Sequence, residues 1–124
     1  MDRKRYQRLK EAFCCPQKSL YQKLKKLLVG TTSLKPIVDN PEALRCKIGR
    51  SAHIFQLVNA QGKKIIDFGS GFGFLTNFLA AEGAEYVVGI ELKAKNRQIA
   101  RFLAQEVFQT NRVEYQEKTE RLGE

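Results

Sequence analysis

KKIIDFGSGFGFLTNFLAAEGAEYVVGIELK, residues 63–93, is the stretch whose reading decides the fold. KIIDFG centres on the β-branched pair Ile65 and Ile66, which favours a short strand. Phe74 to Glu82 has the composition of a helix closed by Gly83, and YVVGIE makes a second strand. Between the first strand and the helix lies a turn with glycine at positions 69, 71 and 73. Glycine suits this place because the chain turns sharply there and a ligand can approach the bare backbone closely. Open amides at a helix start favour an anionic group, and ligands of open parallel sheets sit beyond the carboxyl ends of the strands.

Working outward, residues 94–109 read as a longer helix with Ile99, Leu103 and Val107 on its inner face, and RVEYQ as a third strand. Two successive strand–helix–strand units with short loops predict parallel pairing. Upstream, Asn40 caps a helix that continues to about Asn59, with Pro41 and Glu42 in its first turn. Its core stripe is Leu44, Ile48, Ala52, Phe55 and Val58. Arg45 and Arg50 lie off that stripe, facing a ligand or solvent. His53 has no nucleophile or carboxylate beside it and reads as structural or surface. Before a loop, TTSLKPIVDNP, come two basic amphipathic helices. The first spans residues 3–14 with Tyr6, Leu9 and Phe13 inward and ends before Pro16. The second runs from Ser19, its expected N-cap, to Val29, where Gly30 stops it. The expected organisation is a basic helical segment, 1–40, followed by an α/β domain, 41–124. That domain is a partial doubly wound Rossmann-like parallel sheet of about three strands.

The 124 residues suit one small domain with a real core. The longest apolar runs are a few residues, so no membrane span and no signal-peptide segment are expected. Cys14, Cys15 and Cys46 are odd in number and lack ligand-like spacing to histidine. Reduced thiols, no metal site and a cytoplasmic location are the expectation. The net charge of +9 lies wholly in residues 1–60, which hold 13 Lys/Arg against 4 Asp/Glu; residues 61–124 hold 9 of each. A basic half joined to a neutral one fits an anionic partner, nucleic acid, along residues 3–50; a solvated helical surface, a membrane-surface element or a lid over the core fits it too.

The glycine spacing narrows the ligand. A dinucleotide turn needs Gly-x-Gly-x-x-Gly, and here Phe74 stands where the third glycine would be. Asp67, which ends the strand, would also repel a pyrophosphate, whereas a ligand with a positive group would gain from it.

Asp67-Phe68-Gly69-Ser70-Gly71-Phe72-Gly73 resembles the first motif of class I S-adenosylmethionine-dependent methyltransferases, and the likeness extends to Glu91 at the end of the next strand. The resemblance implies that S-adenosylmethionine is the cofactor, bound by Asp67, Phe68, Gly69, Ser70, Gly71, Gly73 and Glu91. Glu91 would accept hydrogen bonds from both ribose hydroxyls, a task suited to a carboxylate facing a vicinal diol. Asp67 would help hold the amino end of the cationic ligand. The match covers about residues 41–122, which is the first half of that fold. The half that carries much of the substrate pocket lies outside it, so catalytic residues and methyl acceptor stay unassigned. The adenine contact after the third strand falls near Thr119 and Glu120 without a fixed register. An unpaired first strand would be an apolar edge that a partner subunit, self-association or further chain covers. The readings to separate are therefore a methyltransferase with an RNA-like acceptor, a non-catalytic module of the same fold that binds protein or nucleic acid, and a dinucleotide-binding protein.

Overall fold

The computed structural model describes residues 3–30 and 40–118. The loop positions 31–39 and the adenine-side positions Thr119 and Glu120 lie outside the described residues. In chain order come helices α1 (Arg3–Cys14), α2 (Ser19–Leu27) and α3 (Pro41–Val58), strand β1 (Lys64–Phe68), helix α4 (Phe74–Glu82), strand β2 (Tyr86–Ile90), helix α5 (Ala94–Phe102) and strand β3 (Val113–Gln116). The three strands form one parallel sheet in the order β1-β2-β3, with Asp67 opposite Gly89 and Gly89 opposite Tyr115. This is the partial Rossmann-like α/β sheet that the sequence predicts.

Side-chain alternation places the helices on one face of the sheet. Ile65, Val87 and Val113 stand in one row across the strands and pack with Leu75, Leu79 and Ala80 of α4. Tyr115 shares their side and lies against Ala100 of α5 at Gly73. On the other face Ile66 and Phe68 are 45% and 66% exposed. No strand pairs with the outer edge of β1 among the described residues. Beside that edge is a cavity of about 220 Å³ lined by Ile54, Val58, Ile66 and Leu75 among others.

Both N-terminal helices enter the same core as the sheet helices. Leu9, Phe13 and Leu24 are sealed from solvent together with Leu44, Ile99 and Leu103. Phe13 packs on Phe74 at 5.5 Å between ring centroids, and Phe74 meets Phe108 edge-on at 6.3 Å. Burying one such ring contributes about 1.5–3 kcal/mol. Two of the basic residues of α1 serve this docking. Arg5 pairs with Glu82 at 2.5 Å, and Arg8 donates to the Glu106 carbonyl from Nε at 2.9 Å and again from Nη2. A guanidinium at the carboxyl end of a helix also faces the negative end of its dipole. Arg8→Ala should therefore cost about 2 kcal/mol of unfolding free energy, since a partly buried carbonyl loses two charged donors. A urea midpoint that does not move in that variant would show that α1 is held by its apolar face alone.

Three expectations are corrected. Lys18, not Ser19, is the N-cap of α2, because the turn closed by Lys18 N–H on the Cys15 carbonyl at 2.9 Å starts the helix one residue earlier in register. Val58 is 50% exposed instead of core, because it borders the uncovered β1 edge; Ser51 is buried on α3 and donates to the Lys47 carbonyl at 3.0 Å. The helix expected over 94–109 changes to a π-helical turn at Leu103–Phe108. In the wider turn Phe108 closes over Leu103, whereas α geometry would set them about 140° apart. Leu103, Ala104, Val107 and Phe108 are all buried as a result. Asn40 caps α3 as expected, its side-chain oxygen accepting from the amides of Glu42 and Ala43 at 3.2 Å.

Candidate functional site

The site is built where β1 and β2 end side by side. Leaving β1, the chain crosses toward β2, and the amides of Gly69 and Ser70 both donate to the Ile90 carbonyl at 2.9 and 3.0 Å. Gly73 N–H closes the turn on the Ser70 carbonyl at 2.9 Å, and α4 starts there. Gly69, Gly71 and Gly73 all have φ between +58° and +78°, the left-handed region that side chains rarely adopt. A Cβ added at Gly69 or Gly71 would meet nothing within 4 Å, so the turn presents bare backbone to open space.

Glu91 ties the far side of this opening to the turn. Its Oε1 accepts from Gly71 N–H at 2.9 Å, while Oε2 accepts from Lys93 N–H at 3.0 Å and Asn96 Nδ2 at 3.3 Å. Burial pushes this carboxyl's pKa up. The hydrogen bonds from Lys93, Gly71 and Asn96, with the Lys93 charge, outweigh that and hold it below the usual range. Glu91 is thus an ionised, oriented acceptor at the end of β2. Asp67 lies on the helix-covered side of β1, and its Oδ2 accepts from Thr76 Oγ1 of α4 at 2.6 Å.

The structure brings Gly69, Gly71 and Glu91 together at the ends of β1 and β2, whereas Gly73 faces Tyr115 and Ala100 and the Asp67 carboxylate turns to Thr76. It separates the side chain of Phe68, which projects from the opposite face of β1. Ser70 contributes backbone; its hydroxyl is buried without a hydrogen-bond partner, close enough to β2 that a Cβ at Gly89 would lie 2.9 Å from it.

Sequence reasoning missed the layer beneath the turn. Thr76 and Asn77 are fully buried. Asn77 accepts from Tyr115 Oη at 2.6 Å and donates to the Ala100 carbonyl at 3.0 Å, which joins α4 to β3 and α5. Burial pushes the Tyr115 phenol well up, so it remains a neutral donor. The available signal was the pair Thr76-Asn77 inside the otherwise apolar FLTNFLAA, since polar residues on a buried helix need partners.

No family model matches the chain, and no curated protein matches it. Solved structures do. An RNA methyltransferase from Salinibacter ruber in complex with S-adenosylhomocysteine superposes with a TM-score of 0.51 at 23% identity, covering 65% of this chain and 50% of that one. The fold is that of the class I methyltransferases. Magnesium protoporphyrin IX methyltransferase from Synechocystis, with bound S-adenosylhomocysteine, covers 91% of this chain and 45% of its own at 24% identity and a TM-score of 0.51. An S-adenosylmethionine-dependent methyltransferase from Thiobacillus denitrificans gives 0.50 at 20% identity over 55% of this chain and 28% of that one. The chain thus spans half or less of the length of these methyltransferases.

Proposed function

We propose that this chain is the S-adenosylmethionine-binding part of a methyltransferase. The observation that carries the reading is the Glu91–Gly71 hydrogen bond at 2.9 Å, which sets an ionised acceptor and a bare glycine turn around one opening. The residues present fit the cofactor. Glu91 Oε1 has a second lone-pair direction for one ribose hydroxyl, and Oε2 can take the other in place of its longest bond, the 3.3 Å one from Asn96; the backbone at Gly69 and Gly71 has room for a ligand against it. Asp67, at the carboxyl end of β1, would offer negative charge to the ammonium and sulfonium end. When bound, the cofactor supplies an electrophilic methyl group. The chain's own part is to fix that group by its ribose and amino ends, so that an acceptor arrives aligned behind it.

An anionic acceptor such as RNA is favoured by the charge distribution, because the whole +9 excess lies in residues 1–60. Arg5 and Arg8 are engaged in docking α1 and Lys23 pairs with Glu106 at 3.7 Å, which leaves Lys25 and Lys26 in the last turn of α2 as part of that surface. The uncovered edge of β1, with Ile66 and Phe68 exposed beside it, supports a further strand pairing there, from more chain or from another subunit. A second reading is a non-catalytic module of the same fold that binds protein or nucleic acid, a role that the basic residues 1–60 would also serve.

Isothermal titration of the full chain with S-adenosylhomocysteine tests the cofactor reading. Binding that NAD does not displace is the expected result. A folded chain that shows no heat with either ligand would overturn the cofactor reading, and displacement by NAD would turn it toward a dinucleotide.

A further inference from the structure

Asp67 is not held by its own strand. Its Oδ2 accepts a 2.6 Å hydrogen bond from Thr76 Oγ1, nine residues later in the first turn of α4. A threonine hydroxyl inside a helix ordinarily turns back on the carbonyl four residues before it. Here it reaches out of the helix to a carboxylate on the neighbouring strand. Thr76 is fully buried, so water cannot replace that acceptor in the folded chain. The Tyr115 phenol lies beside the same Thr76 hydroxyl. Asn77, the next residue, is clamped at both ends by Tyr115 Oη and the Ala100 carbonyl, which prevents the first turn of α4 from rotating. Among the described residues no hydrogen bond reaches Oδ1 of Asp67, and Asp67 lines the cavity beside the outer edge of β1, two residues before the first glycine of the turn.

We propose that Thr76 is a positioning residue for the amino-acid end of the bound cofactor: it locks the Asp67 carboxylate with one oxygen inward and the other toward the ligand. The proposal rests on the S-adenosylmethionine reading and adds Thr76 to it as the residue that orients Asp67. Glu91 serves the nucleoside half of the ligand, and the Thr76–Asp67 pair serves the amino-acid half. Without the hydroxyl, Asp67 loses its fixed rotamer and must order itself when the ligand binds.

Two ligands that share the nucleoside read the two halves apart. S-adenosylhomocysteine carries the amino-acid group, and 5′-methylthioadenosine lacks it. In titrations of the full chain, Thr76→Val should weaken S-adenosylhomocysteine about tenfold, the scale of one hydrogen bond to a charged group, and 5′-methylthioadenosine less than about twofold. Thr76→Ser, which keeps the hydroxyl, should restore wild-type affinity. On an Asp67→Asn background Thr76→Val should add little, because the two residues act as one unit. If the valine variant does not fold, Thr76→Ala removes the same hydroxyl and is read in the same way. Equal weakening of both ligands, or of neither, would overturn the positioning role while leaving the cofactor reading intact. Failure of the wild-type chain to bind either ligand would overturn both.

Discussion

Replacing Glu91 by alanine is expected to weaken S-adenosylhomocysteine about a hundredfold, because two hydrogen bonds to a charged acceptor are lost together. The loss is not limited to the ribose. The amides of Gly71 and Lys93 and the side chain of Asn96 all donate to this carboxylate, so its removal also loosens the turn at Gly71. Titration of both ligands named above should show the same fall for each, since they share the ribose; a variant of unchanged affinity would remove Glu91 from the site. Acid gives a second readout. A carboxyl whose pKa folding lowers stabilises the native chain above its ordinary value of 4.5, and that stabilisation disappears as pH falls through the lower folded value. Urea midpoints measured between about pH 6 and pH 3 should therefore fall more steeply for the wild type than for Glu91→Gln, which has no proton to gain. Parallel curves would mean that the Gly71 and Lys93 hydrogen bonds do not hold the charge in solution.

Local chemistry explains what was legible in the sequence. α4 runs from Phe74 to Glu82, as its glycine boundaries indicate, and Asn40 caps α3 because its side chain needs only the next few amides. That the glycine turn and Glu91 follow neighbouring parallel strands was readable, because each strand is a short β-branched run ending at that point. Missed features depend on contacts far apart in the chain. Tyr115 meets Asn77 across 38 residues, and Arg8 reaches Glu106 across 98. A helix periodicity cannot announce either. Val58 shows the opposite failure: the stripe predicted burial correctly for an α3 covered along its length, but the β1 edge beneath its last turn is open. The basic first helix was ambiguous for a further reason. Charge counts do not say which cations turn inward, and Arg5 and Arg8 do.

Gly73→Ala should be the most destabilising of the turn substitutions, at roughly 3–5 kcal/mol, because strain and overlap act at the same atom. The residue sits at φ +78°, and a Cβ there would fall 2.5 Å from Tyr115 Oη and 2.6 Å from Ala100 Cβ. Neither neighbour can yield cheaply. Tyr115 is buried and bonded to Asn77, and Ala100 is packed in α5. Gly69→Ala supplies the contrast. Its φ of +69° carries comparable backbone strain, but its Cβ would meet nothing within 4 Å. That variant should lose only about 1–2 kcal/mol in urea unfolding. Its methyl group would stand in the space offered to the ligand, so it should bind S-adenosylhomocysteine markedly more weakly while remaining folded. The pair assigns different duties to two glycines of one motif: Gly73 lets the turn sit on β3 and α5, and Gly69 keeps the ligand side clear. Equal stability losses in the two variants would refute the packing argument for Gly73, and unaltered binding by Gly69→Ala would place the ligand away from the turn.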